Sequence, residues 1–447
     1  MSWSDAVFYH LYPLGVTGAP WTNPGVPSSR VLQLIDWIEP AARIGCNAVL
    51  FGPVWESGTH GYDTHDYHVP DSRLGSSDEL KHVVAAWKEK GFRVVFDGVF
   101  NHCGRGFAPF VDLAARGKDS PYAGWFSGVD FSQRSPHGDP FSYEGWNGHL
   151  GLVKFNLANN EVRDYLLTSV GEWMDDYGID GLRLDAADVM SKEFQRELAA
   201  FCKAKRPDFW LLGEVIHGNY AEWAPGAGLD AVTNYELFKG LWSSHNDGNY
   251  FEVAWTLNRQ FGADGLYRGQ TYVTFGDNHD VNRLASTLSR PEYLYPHAFL
   301  QAASPGLPMI YYGSEAGLEG VKNSNDEPLR PALSPGDLDS LPQQPLRELW
   351  ARLSGLRRSE PALTEGGYEQ AKVASRQFAF WRLPSSGRPL LVVVSSAEER
   401  VAFAAPVPPD RHQGTWIDLL TGETFSVSQG LLSMELWPCW GRILAPA

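Results

Sequence analysis

Cysteine, positive charge and long apolar runs are the scarce features of this chain. Four cysteines occur in 447 residues, at Cys46, Cys103, Cys202 and Cys439, with no CxxC pair. That scatter, in a chain this long, points to buried thiols rather than a disulfide framework. Lys and Arg number 37 against 53 Asp and Glu, leaving a formal charge of -16. An acidic surface argues against nucleic acid and against anionic membranes as partners. No apolar run reaches the roughly 18 residues of a membrane span. The start, MSWSDAVFYHLYP, lacks a basic segment followed by an apolar one. No signal peptide is read there, and the cytoplasm is the expected compartment.

What is present is ordinary globular composition, 43% hydrophobic and 20% charged, enough for a large core and more than one domain. The 17 tryptophans suit a large aromatic core. They equally suit a sugar cleft, where rings pack on the apolar C–H faces of pyranoses. Composition does not separate the two.

Strand-like and helix-like segments alternate along most of the chain. Strands are predicted at 6–13, 47–54, 93–100, 179–185, 208–214, 229–234, 270–280 and 307–315. Helices are predicted at 31–45 (with Ser28 or Ser29 as cap), 78–91, 160–178, 192–204, 252–262, 293–304 and 345–359. The stretch from about 102 to 155 is irregular and rich in Gly, Pro, Ser and aromatics. It reads as a subdomain inserted after the third strand, because a structureless loop of that length is uncommon. Beyond about 365, short β-rich runs separated by Pro, Gly and Ser suggest an antiparallel β-sandwich. The expected architecture is α/β: a (β/α)8 barrel over 1–365 with the 102–155 insertion, then a sandwich over 366–447.

Four strand ends carry acidic groups: DGVFNH at 97–102, GLRLDAAD at 181–188, LLGEV at 211–215 and FGDNHD at 275–280. A parallel barrel gathers its strand C-termini on one face, where active sites sit. Asp97, Asp185, Glu214 and Asp280 would therefore converge. Several carboxylates in one pocket suit metal-assisted hydrolysis or glycoside hydrolysis. A retaining glycosidase needs a carboxylate nucleophile and a protonated acid about 5–5.5 Å apart. The acid should hold its proton to roughly pH 6–7. Glu214 ends an apolar run, where desolvation favours the neutral form. Asp185 lies two residues after Arg183, on the same side of a strand, so Arg183 can keep it ionised and aimed.

The same segments, in order and content, resemble the four signature regions of the α-amylase family, glycoside hydrolase family thirteen. HGYDTHDY at 60–67 and LVKFNLANNEVRDY at 152–165 resemble two flanking motifs. The likeness covers roughly residues 1–360. It implies Asp185 as nucleophile, Glu214 as acid and then base, and Asp280 as a third carboxylate that binds sugar hydroxyls. It implies that Arg183 orients Asp185 and that His102 and His279 bond sugar hydroxyls. Tyr62 would stack on the reacting glucose with His60 nearby, and Asp97 would take part by bracing Arg183. Asn101 is a candidate ligand for a structural calcium. Ala186-Ala187-Asp188 replaces the Lys-His pair common in calcium-dependent relatives, and no required cofactor is expected.

The wording is nearest to the cyclomaltodextrinase, neopullulanase and maltogenic amylase group. That group carries an N-terminal domain, whereas this sequence opens at the first barrel strand, so dimerisation by that route is not expected. Val215-Ile216-His217 follows Glu214 where that group tends to place a Trp two residues on, which bears on the acceptor side. Small maltooligosaccharides or cyclodextrins are the expected substrates, cleaved at α-1,4 bonds. Transglycosylation or isomerisation by the same machinery stays open, as does a catalytically silent sugar binder. A metal-dependent hydrolase built on His60, Asp63, His65, Asp66 and His68 is the rival from another class. The sequence does not fix the oligomeric state.

Overall fold

Period-two alternation in eight short, doubly buried strands builds the scaffold, seen in a computed structural model that describes residues 3–323 and 325–447. The strands are β1 (Phe8–Leu11), β2 (Ala48–Phe51), β3 (Arg93–Gly98), β4 (Gly181–Leu184), β5 (Trp210–Gly213), β6 (Ala231–Thr233), β7 (Thr271–Phe275) and β8 (Leu307–Tyr311). All neighbours pair in parallel and β1 closes on β8, so the sheet is a closed barrel. One set of alternate residues fills the interior: Phe8, Leu50, Val95, Leu212, Val273 and Met309 among them. The other set, including Tyr9, Val49, Val94, Phe96 and Leu211, faces the helical shell. Continuing the inward set to the strand ends reaches His10, Asp97, Arg183, Asp185 and Glu214. The barrel's own alternation therefore places the polar groups above an apolar plug.

Most shell helices fall where periodicity predicts them. Ser77–Glu89 opens on a capping box, with Ser76 and Glu79 satisfying each other's backbone N–H groups. The predicted helix at 31–45 is instead a 3-10 helix (Arg30–Trp37) running into a short α-helix (Ile38–Arg43). Pro40 supplies no N–H to a continuous α-helix. Ser29 makes no side-chain cap bond, whereas Ser28 Oγ accepts a long bond from Arg30 N at 3.5 Å while donating to the Arg73 carbonyl. An unpredicted helix, Tyr235–Asn246, follows β6, capped by Asn234, whose side chain accepts from Leu237 N.

Between β3 and β4, strands His102–Gly104, Gly145–Trp146 and His149–Lys154 form a small sheet beside the helix Ala108–Arg116. After the barrel, eight antiparallel strands from Gly367 to Pro446 form one sheet whose two edge strands lie against each other. Alternation again sorts its faces. Ala379, Trp381, Leu391, Val393 and Trp416 pack inside the folded sheet. Phe378, Phe380, Val392 and Val394 join the core shared with the barrel helices. All four cysteines are free and buried. No described helix is long and apolar enough to cross a membrane.

Candidate active site

Register sets the catalytic rung. Asp97 on β3 pairs with Arg183 on β4, and the ladder runs one step past the strand ends. Asp185 N donates to Gly98 O at 3.0 Å, and Glu214 N to Leu184 O at 2.9 Å. Asp185 and Glu214 are thereby brought to one level, two residues above the rung on which Asp97 faces Arg183.

Arg183 ties them together. Its Nη1 lies 2.8 and 2.9 Å from the two oxygens of Asp97 and 3.0 Å from Asp185 Oδ1. Its Nη2 lies 2.8 Å from Glu214 Oε2. One rigid guanidinium fork therefore fixes Asp185 and Glu214 relative to each other. Ala186 N also donates to Glu214 Oε2, at 3.2 Å. Ala186 reaches that position at φ 48°, a left-handed conformation that costs a non-glycine residue about 1–3 kcal/mol. Tyr235, the first residue of the unpredicted helix, donates to Glu214 Oε1 at 3.2 Å and accepts from Asn278 Nδ2 at 3.0 Å.

Asp280 stands on the opposite wall. Arg330 Nη2 is 2.9 Å from its Oδ1, and His279 Nε2 is 2.9 Å from its Oδ2. Asn278 Oδ1 accepts from Asp280 N at 2.8 Å, turning the loop that aims the carboxylate. Tyr62 stacks on His279 with centroids 5.2 Å apart, donates to Asp97 Oδ2 at 2.9 Å and touches His279 Nε2. His102 Nε2 lies 3.9 Å from Asp185 Oδ2.

Electrostatics divides the carboxylates. Burial raises the Asp185 pKa well above the ordinary range, opposed by Arg183 and reinforced by Glu214, Asp97 and Asp280. At Asp280 burial also pushes up, but His279, Arg330 and Arg183 outweigh it and hold the group low. Burial, then the charge of His60, brings His102 down to about 3, so its ring is neutral.

These groups open onto a cleft of about 680 Å³, within the range of small-ligand sites. Tyr62, His102, Asp185, Glu214 and Asp280 line it, as does His60. Arg183, Asp97 and His279 are buried behind them, at 4, 1 and 2% exposure. Asp97, with both oxygens taken, braces the site from below the cleft surface. Several contributors were not singled out from sequence: Tyr235, Asn278, Trp146 and His149. Trp146 sits on a hairpin whose turn, Asn147-Gly148, has φ of 47° and 80°. An Asn-Gly pair is a strong hairpin signal that the irregular surrounding composition obscured.

The 60–68 cluster disperses. Asp63 binds Thr59, Asp66 accepts from His68 N, and His68 pairs with Glu172. Among the described residues no group of three or more His, Cys, Asp or Glu is placed to hold a metal. Asn101 is buried with its amide against His102 Nδ1 at 3.2 Å. Glu315, after β8, accepts from Tyr9 at 2.7 Å outside the barrel wall and does not line the cleft.

Comparison with known proteins places the chain in one family. Residues 32–351 match the family described as "Alpha amylase, catalytic domain". A cyclomaltodextrinase from Bacillus sp is 31% identical over 403 residues, covering 85% of this chain and 70% of that protein. A solved cyclomaltodextrinase superposes with a TM-score of 0.88 at 27% identity, over 99% of this chain and 78% of that one. The cyclic α-maltosyl-(1→6)-maltose hydrolase of Arthrobacter globiformis, in complex with that cyclic sugar, gives 0.81 at 27% identity, over 99% and 98%. The chain belongs to the α-amylase family.

Proposed function

We propose that this protein is a retaining α-glucoside hydrolase that cleaves α-1,4 bonds in small maltooligosaccharides or cyclodextrins. The observation that carries the reading is the Arg183 fork, which holds Asp185 and Glu214 on one floor while Asp280 faces them across the cleft. In the first step Asp185 attacks the anomeric carbon as Glu214 gives a proton to the departing glycosidic oxygen. In the second, Glu214 takes a proton from water, the water attacks the same carbon, and Asp185 leaves. Two inversions restore the α configuration. Asp280 and the neutral His102 are placed to bond ring hydroxyls, and the Tyr62 face to pack on the sugar. This chemistry needs only carboxylates and water, so no cofactor is required for turnover. Calcium at Asn101, if bound, would act on structure.

The volume of the cleft and the names of the similar proteins both favour short or cyclic α-glucans. Transfer to a sugar acceptor is the second reading. Ile216, 40% exposed, lines the cleft beyond Glu214. An aliphatic side chain gives an acceptor sugar no aromatic face to stack on, which favours water. The acidic net charge and the free, buried thiols fit a cytoplasmic enzyme acting on neutral sugars.

The test is Asp185→Asn assayed on maltotriose and β-cyclodextrin. Turnover should fall by on the order of 10⁴-fold or more with the circular dichroism spectrum unchanged. A folded variant with near-wild-type rates would reject Asp185 as the nucleophile.

A further inference from the structure

His10 is the last inward-facing residue of β1, two residues above Phe8 of the barrel interior, and is 2% exposed. Its ring meets His279 edge-on, with centroids 5.3 Å apart and planes at 90°. Neither ring nitrogen of His10 has a protein hydrogen-bond partner, and neither does Nδ1 of His279. A buried polar atom left unpaired loses its hydration without compensation, so a residue that only filled this space would be better apolar.

The far side of His279 is fully engaged. Tyr62 gives its own hydroxyl proton to Asp97, so towards His279 its oxygen can only accept. Asp280 Oδ2 also needs a donor from Nε2. Nε2 therefore carries a hydrogen, and Nδ1 is where the ring gains or loses its second proton.

We propose that His10 is a positioning residue for catalysis, accepting the Nδ1 proton of His279 through one buried water. His279 can then hold both ring protons and clamp Asp280 as an imidazolium. The inference rests on the reading of Asp280 as the sugar-binding carboxylate. Burial, then the charges of His279 and Arg183, keep His10 well below the ordinary histidine range, so it remains the neutral acceptor. Asp280, Arg283 and Tyr311 also face His10. Around His279 stand Tyr12, stacked at 5.7 Å, Tyr62, Asp280 and Arg330, whose Nε binds the His279 carbonyl at 2.9 Å. None of these bonds to Nδ1.

The experiment compares wild type, His10→Phe, His10→Leu and His10→Gln on maltotriose across pH 4–10. Phe and Leu fill space but cannot accept; the Gln amide oxygen can. Loss of one charged hydrogen bond predicts about a tenfold lower kcat, with KM changed less than about twofold. The alkaline limb should move to lower pH in the Phe and Leu variants, and Gln should restore both readouts. A wild-type pH profile in whichever apolar variant folds, or a Gln variant as impaired as Phe, overturns the proposal. Nitrogen NMR of ¹⁵N-histidine-labelled protein reads the same acceptor without turnover. Nδ1 of His279 should stay protonated to higher pH in wild type than in His10→Phe, and equal titration overturns the proposal. Absence of turnover in wild type would reject the glucosidase reading while leaving this NMR comparison decisive for His10.

Discussion

Glu315 links the fold to pH in a way that can be measured. It lies after β8, fully buried, with Oε1 accepting from Tyr9 at 2.7 Å and Oε2 without a partner. Burial, the leading cause, pushes its carboxyl from the ordinary 4.5 up to about 7; the Tyr9 bond pulls the other way. A carboxyl raised in the folded state contributes stability that is fully present below about pH 4.5 and is lost as pH rises through about 7. The gap between 4.5 and about 7, at about 1.4 kcal/mol per pH unit, amounts to about 3 kcal/mol. Glu315→Gln keeps the shape and the acceptor for Tyr9 but cannot ionise. Urea unfolding of wild type and variant at pH 5 and pH 8 separates the contributions. The two proteins should be nearly equal at pH 5, and the variant should be more stable by about 3 kcal/mol at pH 8. Parallel loss of stability in both proteins between these pH values would refute the assignment.

Two further outcomes follow from the site. Because burial raises Asp185, its nucleophilic carboxylate is lost as pH falls through a value above the ordinary carboxylate range. The acid limb of kcat/KM should therefore lie above about pH 4; a limb at or below the free-aspartate value would contradict the electrostatic account. Exhaustive treatment with a chelator should leave kcat within about twofold, since two-carboxylate chemistry uses no metal; loss of activity regained on adding calcium would show that Asn101 or another group binds a structural ion.

The barrel and its carboxylates were legible in the sequence because both obey period two. Asp97, Arg183, Asp185 and Glu214 continue strand alternation for one or two residues past an apolar run. Long-range partners were not legible. Tyr235 reaches Glu214 only because a weak strand, Ala231–Thr233, is followed at once by a helix that Asn234 caps. The bond from Arg330 to Asp280, fifty positions apart with loop, helix and strand between them, leaves no local signal, although Arg330 itself could be named as a candidate lining residue. Two strands of the C-terminal sheet, Gly367–Val373 and Leu431–Leu436, escaped notice because one face of each meets solvent. The second alternates buried and exposed residues along its whole length, so no continuous apolar run marks it. The helix expected at 31–45 failed on one residue, Pro40, whose missing N–H outweighs helical hydrophobic periodicity.

The central claim is double displacement on an α-glucoside with Asp185 and Glu214 as the reacting pair. Proton NMR of maltotriose and β-cyclodextrin hydrolysis, followed from the first minute, tests it most directly. The account predicts that the new reducing end appears first as the α-anomer and mutarotates afterwards. Initial β-anomer would contradict it, because it would require a single inverting displacement and a different role for Asp185.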